Sequence, residues 1–232
     1  MDLATHALTA LTARTPPAVK PGAGCAPAKR PAVRVLVIPG LHDSGEAHWQ
    51  TWLQAQYSGA TRVVQRDWRA PDLGAWSQRI TDTLSRHSAH TQWVAVAHSF
   101  GTLALAHHLN QCMAQAASGV GPRHGRIVAS LMVAPADPAK FGVDASLPHH
   151  ALGLPLTVIG SETDPWMPLA RARDWAHTWG GRFVNLGDVG HINTDAGFGP
   201  WPLARQKVDH FIRQQLGAQP CLCSLADDRH FT

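Results

Sequence analysis

Residues Trp93 to Gly101 read W-V-A-V-A-H-S-F-G, an apolar run that ends in a short turn and opens into a helix-forming segment. The small and β-branched residues from Trp93 to Ala97 suit a strand buried on both faces. Thr102 to Ala117 has the length and composition of a helix. Ser99 therefore stands on a strand-to-helix turn, which lifts its hydroxyl above the sheet edge and points the next peptide N–H, that of Phe100, at the same spot. A nucleophile beside an oxyanion donor needs this arrangement. Strand and helix nearly touch at such a turn, so small residues must flank it. Gly101 meets that demand, and Ala97 replaces the first glycine of G-x-S-x-G at the smallest steric cost. A serine that only caps a helix would give the same five residues, so the pattern needs partners before it implies chemistry.

Two partners follow in the chain. Asp164 comes after the apolar run Leu156 to Ile159, through G-S-E-T-D-P, and His191 comes after Arg182 to Leu186, in G-D-V-G-H-I-N. Serine, then acid, then histidine is the order of the α/β-hydrolases. Each residue would sit at the carboxyl end of a different strand, where open α/β sheets bind their ligands. His191 would accept the Ser99 proton during attack and return it to the leaving group, while Asp164 holds the imidazole tautomer. Asp137, after an earlier strand, is a rival acid, because some hydrolases carry the acid there. Asp188 lies too near His191 in sequence for an easy approach. A second oxyanion donor is expected after the first strand, V-R-V-L-V-I-P-G-L-H (Val33 to His42), where Gly40 allows a close backbone approach. Leu41 N–H is the first choice and His42 the second. His42, Trp166 and Trp201 are candidate substrate contacts.

Three stretches carry a more specific resemblance: V-I-P-G-L-H-D-S-G-E-A-H-W-Q-T-W-L (Val37 to Leu53), A-H-S-F-G (Ala97 to Gly101), and G-S-E-T-D-P-W-M-P followed by G-H-I-N and G-P-W-P (Gly160 to Pro202). Over roughly residues 33 to 216 the chain resembles the retinoblastoma-binding-protein-9-like, or YdeN-like, serine hydrolases. The H-W-x-x-W-L and G-H-I-N-x-x-x-G-x-G-P-W-P segments are the most specific. The resemblance implies a small lidless α/β-hydrolase whose triad falls here on Ser99, Asp164 and His191. Ala97 replaces an elbow glycine, and Thr163 precedes the aspartate where asparagine is common. Neither departure removes a triad functional group.

Outward from these motifs, strands are expected at Val33 to Ile38, Thr61 to Gln65, Gln92 to Ala97, Ile127 to Val133, Leu156 to Ile159 and Arg182 to Leu186. Helices are expected around Ala47 to Tyr57, Leu73 to Arg86, Thr102 to Ala117, Leu169 to Trp179 and Leu203 to Leu216. The alternation implies an α/β fold with a mostly parallel sheet of about six strands and helices on both faces. Asp72 reads as an N-cap and Pro168 as a first-turn proline. A chain of 232 residues with 44% hydrophobic content can bury one such core. Residues 32–216 would form the hydrolase domain. The Ala-, Thr- and Pro-rich residues 1–31 read as a disordered extension and residues 217–232 as a flexible tail. The stretch Pro135 to Leu154, broken by Pro138, Gly142, Pro148 and Gly153, is too short for a cap domain, so an open, shallow pocket is expected.

Other functions are disfavoured. The net charge of +4 is dispersed, which argues against a nucleic-acid stripe. No window approaches the roughly 20 apolar residues that span a bilayer, and the start M-D-L-A-T-H lacks a basic, then apolar, secretory pattern. The four cysteines, Cys25, Cys112, Cys221 and Cys223, form no spaced framework and read as free thiols in a reducing compartment. No metal or organic cofactor is expected. His107 and His108 point in different directions on a helix, and with His149 and His150 they read as surface histidines. His98 reads as a packing or pocket-wall residue beside the nucleophile rather than the base, and His48, Trp49 and Trp52 as helix packing. The leading function is a cytoplasmic serine hydrolase acting on a small ester, thioester or amide. The alternative is a protein-interaction module on the same fold, with vestigial turnover.

Overall fold

The computed structural model describes residues 32–121 and 124–217. The expected N-terminal extension, nearly all of the expected tail, and Cys25, Cys221 and Cys223 lie outside the described residues. Six strands form one parallel sheet: β1 Val33–Ile38, β2 Thr61–Arg62, β3 Gln92–His98, β4 Arg126–Val133, β5 Leu156–Gly160 and β6 Arg182–Asn185. Their order across the sheet is β2-β1-β3-β4-β5-β6. The helices are α1 Trp49–Ala55, α2 Leu73–Ser85, α3 Phe100–Ala117, α4 Leu169–Thr178 and α5 Pro202–Gly217.

Strand periodicity sorts the core into two layers. On β1, Leu36 and Ile38 face one cluster and Val35 and Val37 the other; on β3, Trp93, Ala95 and Ala97 alternate with Val94 and Val96 in the same way. The first layer receives Trp76, Ile80 and Leu84 of α2, Leu103 and Leu109 of α3, and Trp175 of α4. The second receives Trp49 and Leu53 of α1, and Ala204, Val208 and Phe211 of α5. A strand covered on both faces has no need of a polar face, which is why β3 is apolar almost throughout.

Some boundaries differ from expectation for local reasons. β2 stops at Arg62 because β1, its only neighbour among the described residues, ends at Ile38, and one further bond from Val63 N–H to the Val37 carbonyl closes the ladder. α1 begins at Trp49 because His48 caps it, its Nδ1 accepting from Gln50 N–H at 3.1 Å. α3 starts two residues early, at Phe100, because the whole turn is compressed into Ser99. Asp72 caps α2 as expected, accepting from Ala75 N–H at 2.9 Å. Pro168 is the N-cap of α4 rather than its first-turn residue. Between β4 and β5, residues 135–154 hold two 3-10 turns, Pro138–Phe141 and Asp144–Ser146, and no α-helical cap.

Candidate active site

The turns that follow β1, β3, β5 and β6 meet at the carboxyl edge of the sheet. At the centre is Ser99, with φ 53° and ψ −128°, a conformation that costs a non-glycine residue about 1–3 kcal/mol. The surroundings hold it there. Ser99 N–H donates to the Val133 carbonyl at 3.1 Å, and the Ser99 carbonyl accepts from Thr102 N–H at 3.0 Å and Thr102 Oγ1 at 2.7 Å. A methyl group at Gly101 would lie 2.3 Å from the Pro39 carbonyl oxygen, so only glycine fits where α3 crosses β1. Ala97 is fully buried in the first core layer and leaves the turn intact. Left-handed backbone also occurs at His42, Asp43, Ala134 and Ile192, all in turns after strands at this edge.

Ser99 makes no side-chain cap bond to α3. Its Oγ instead lies 2.9 Å from His191 Nε2. His191 Nδ1 lies 2.9 Å from both carboxylate oxygens of Asp164. The Asp164 side chain is 2% exposed and also accepts from Trp166 N–H at 2.8 Å, which fixes its orientation. The rival acids have other partners. Asp137 accepts from Ala139 N–H and pairs with Arg171 at 2.9 Å. Asp188 accepts from the Thr163 hydroxyl, whose oxygen accepts in turn from Gly190 N–H at 3.1 Å. Thr163 thus ties the acid loop to the histidine loop.

The backbone on either side of Ser99 bears on the two expected oxyanion donors. Phe100 N–H opens α3 and, as a first-turn amide, has no intrahelical acceptor. In the β1 turn, a Cβ at Gly40 would meet Ser99 Cβ at 2.6 Å and Ser99 Oγ at 3.3 Å, so this backbone passes directly over the serine. His42 N–H is already committed to the Trp68 carbonyl at 2.9 Å, which leaves Leu41 N–H as the donor candidate from this loop.

The H-W-x-x-W-L segment braces the histidine loop. Trp49 Nε1–H donates to the Ile192 carbonyl at 2.9 Å, and Gln50, fully buried, donates to the ends of β1 and β3 at the Ile38 and Val96 carbonyls. His98 Nε2–H donates to the His191 carbonyl at 3.0 Å, with the two rings 4.9 Å apart. Both His98 and His48 pack as expected and also make hydrogen bonds: that of His48 is the local cap of α1, and that of His98 crosses 93 positions of the chain. Burial pushes His98 well below the ordinary histidine value. Burial, then the Arg62 and His191 charges, lowers His48 to about 4. Both rings are neutral near pH 7, so neither adds positive charge beside His191.

The two candidate tryptophans separate. Trp166 is 45% exposed, 6.3 Å from the His191 ring, and stacks on Phe141 at 6.5 Å with Lys140 Nζ 5.4 Å from its ring centre. Trp201 is buried edge-on between Trp49 and Phe198, each 5.2 Å away, and anchors the second core layer rather than facing Ser99. His42 is exposed at the rim.

A serine hydrolase family model matches residues 35–210. The chain belongs to that serine hydrolase family. The hydrolase is 32% identical to a YdeN-like hydrolase from Pectobacterium atrosepticum, over 79% of this chain and 92% of that one, with a TM-score of 0.70. The ydeN gene product of B. subtilis is 20% identical over 78% of this chain and 98% of its own, with a TM-score of 0.61. An acyl-protein thioesterase 2 from Zea mays shares the fold at 14% identity and a TM-score of 0.53, over 82% and 96% of the two chains. No curated protein sequence matches the hydrolase. The resemblance to YdeN-like serine hydrolases is thereby borne out, as is the α/β-hydrolase fold. No helix among the described residues is long and apolar enough to cross a membrane.

Proposed function

We propose that the protein hydrolyses small carboxylic esters or thioesters through an acyl-enzyme on Ser99. The observation that carries this reading is the chain of contacts from Ser99 Oγ through both nitrogens of His191 to the Asp164 carboxylate. His191 Nε2 takes the Ser99 proton as Oγ bonds to the acyl carbon, and the oxyanion that forms accepts from Phe100 N–H and Leu41 N–H. The carbonyl re-forms, the bond to the leaving oxygen or sulfur breaks, and His191 Nε2–H gives its proton to that atom. Water then repeats the sequence, its proton passing to His191 and its oxygen to the acyl carbon, and Ser99 leaves with the proton restored. Asp164 accepts from Nδ1–H throughout and stabilises the imidazolium without taking the proton.

Trp166 would form one wall for the acyl or leaving group, supported from below by Phe141 of the 3-10 turn. With no cap helix in residues 135–154, that wall is short. Each buried methylene contributes about 0.8 kcal/mol only while wall remains to cover it. Rates on p-nitrophenyl esters should therefore climb over short chains and stop by about C6. The test is a series from acetate to palmitate, with mass spectrometry of the stalled acyl-enzyme. Short-chain preference and an acyl adduct on Ser99 support the proposal. Inactivity toward every ester and thioester, with no adduct, would leave the interaction-module reading.

A further inference from the structure

At the opposite edge of the sheet, the C-terminal half of α3 and the start of β4 line a cavity of about 500 Å³. His108, Cys112 and His124 line it together, each presenting one ligand atom, and these atoms all lie within 4.8 Å of one another. We propose that these three side chains bind a transition-metal ion, zinc in the first instance.

The helix supplies half of the site. His108 and Cys112 are four residues apart, so they stand one above the other on one face of α3, with Sγ 3.5 Å from His108 Nε2. His124 arrives from the turn before β4, its ring centre 5.7 Å from that of His108. His107 turns away, its Nδ1–H donating to the Ser146 carbonyl at 2.9 Å.

Both histidines are oriented for coordination. His124 Nδ1 lies 2.9 Å from the Gly125 carbonyl, which can only accept, so Nδ1 carries the proton and Nε2 carries the lone pair. His108 Nδ1 lies 3.2 Å from Thr81 Oγ1 of α2, an oxygen that can accept its N–H while the hydroxyl proton turns to the Ser77 carbonyl 3.5 Å away. That tautomer leaves the His108 Nε2 lone pair for the metal. Metal-ligating histidines are held in this manner, each donating its second ring N–H to an oxygen.

The donor set decides the metal. Two imidazoles and a thiolate, with no carboxylate among them, suit zinc and disfavour magnesium or calcium. Tetrahedral zinc would hold the three ligand atoms about 3.3–3.6 Å apart, so the cluster needs to contract by roughly 1 Å. Binding releases the Cys112 thiol proton to solvent, and the fourth position is left for a water from the cavity. Since α3 rises about 1.5 Å per residue, His108 lies about 13 Å along the helix from Ser99. An ion here would bridge α3 and the start of β4, away from the site of hydrolysis.

The test is cobalt(II) and zinc titration of the full-length chain with Cys25, Cys221 and Cys223 changed to serine, which removes the other thiols. One cobalt per chain should bind with a thiolate-to-cobalt charge-transfer band in the near ultraviolet and tetrahedral bands in the visible. Cys112→Ser should abolish the charge-transfer band, and His124→Ala should remove tight binding. Thr81→Val should weaken zinc about 10-fold or more through the lost orientation of His108. Zinc should raise Tm in the parent and not in Cys112→Ser, while ester hydrolysis continues in both. Absence of the band in the parent, or its persistence in Cys112→Ser, would overturn the proposal.

Discussion

Gly40→Ala probes the β1 turn that is proposed to supply Leu41 N–H to the oxyanion. The added methyl would stand 2.6 Å from Ser99 Cβ and 3.1 Å from the His98 carbonyl oxygen. Ordinary carbon–carbon contact is about 3.5–4.0 Å, so the turn has to retreat by roughly 1 Å. Gly40 is not in left-handed backbone, so alanine adds no conformational strain of its own and the cost is the displaced turn. A misplacement of about 1 Å costs on the order of 10²-fold in rate. Removing an oxyanion donor costs about 10²–10³-fold, or 2.7–4 kcal/mol of transition-state stabilisation. The expected result is a fall of that size in kcat for p-nitrophenyl acetate, with KM little changed and a native circular dichroism spectrum. Gly45→Ala is the control, because nothing lies within 4 Å of a Cβ there. If folded Gly40→Ala keeps kcat within about threefold of the parent, the turn does not serve the oxyanion and the Leu41 assignment is wrong.

Asp164→Asn should lower kcat/KM by about 10⁴-fold by disturbing the His191 tautomer, whereas Asp137→Asn should cost stability, by loosening Arg171 and the 3-10 turn, and leave turnover within about tenfold; reversed results would move the acid to the earlier strand. Because His48 is lowered to about 4 from 6.5, the unfolded chain binds its proton more readily between those values. Its stabilising contribution is full above pH 6.5 and is lost as pH falls toward 4, about 2 kcal/mol being gone at pH 5. Urea unfolding at pH 7 and 5 measures this, and His48→Asn, which keeps a capping acceptor, should shrink the difference; an unchanged difference refutes the assignment. Trp201→Ala should destabilise by about 3–5 kcal/mol without changing ester selectivity, while Trp166→Ala should leave urea stability nearly unchanged and raise KM for aromatic esters.

The strands were legible because burial on both faces leaves continuous β-branched runs, and β1 matches its expected bounds residue for residue. The bounds differ where β2 ends with its neighbour, a tertiary limit, and where the unusual imidazole cap of His48 starts α1, a local one. Ser99, Asp164 and His191 stood out because each follows a strand and their chain order is that of the α/β-hydrolases. Trp166 and Trp201 could not be told apart from sequence, since both follow site loops and only packing buries one of them. The His98 bond to the His191 carbonyl crosses 93 positions and leaves no local pattern. The four-residue step from His108 to Cys112 was a readable signal, but it pointed nowhere until the fold brought His124 beside it.

Ser99, activated by His191, is the proposed nucleophile, and one labelling experiment addresses it directly. A fluorophosphonate probe applied to the native protein should modify a single residue, identified as Ser99 by peptide mass spectrometry, with hydrolysis lost in step with labelling. Ser99→Ala, folded by circular dichroism, should take up no probe and hydrolyse no ester. Labelling at another residue, or undiminished labelling and turnover in Ser99→Ala, would contradict the account.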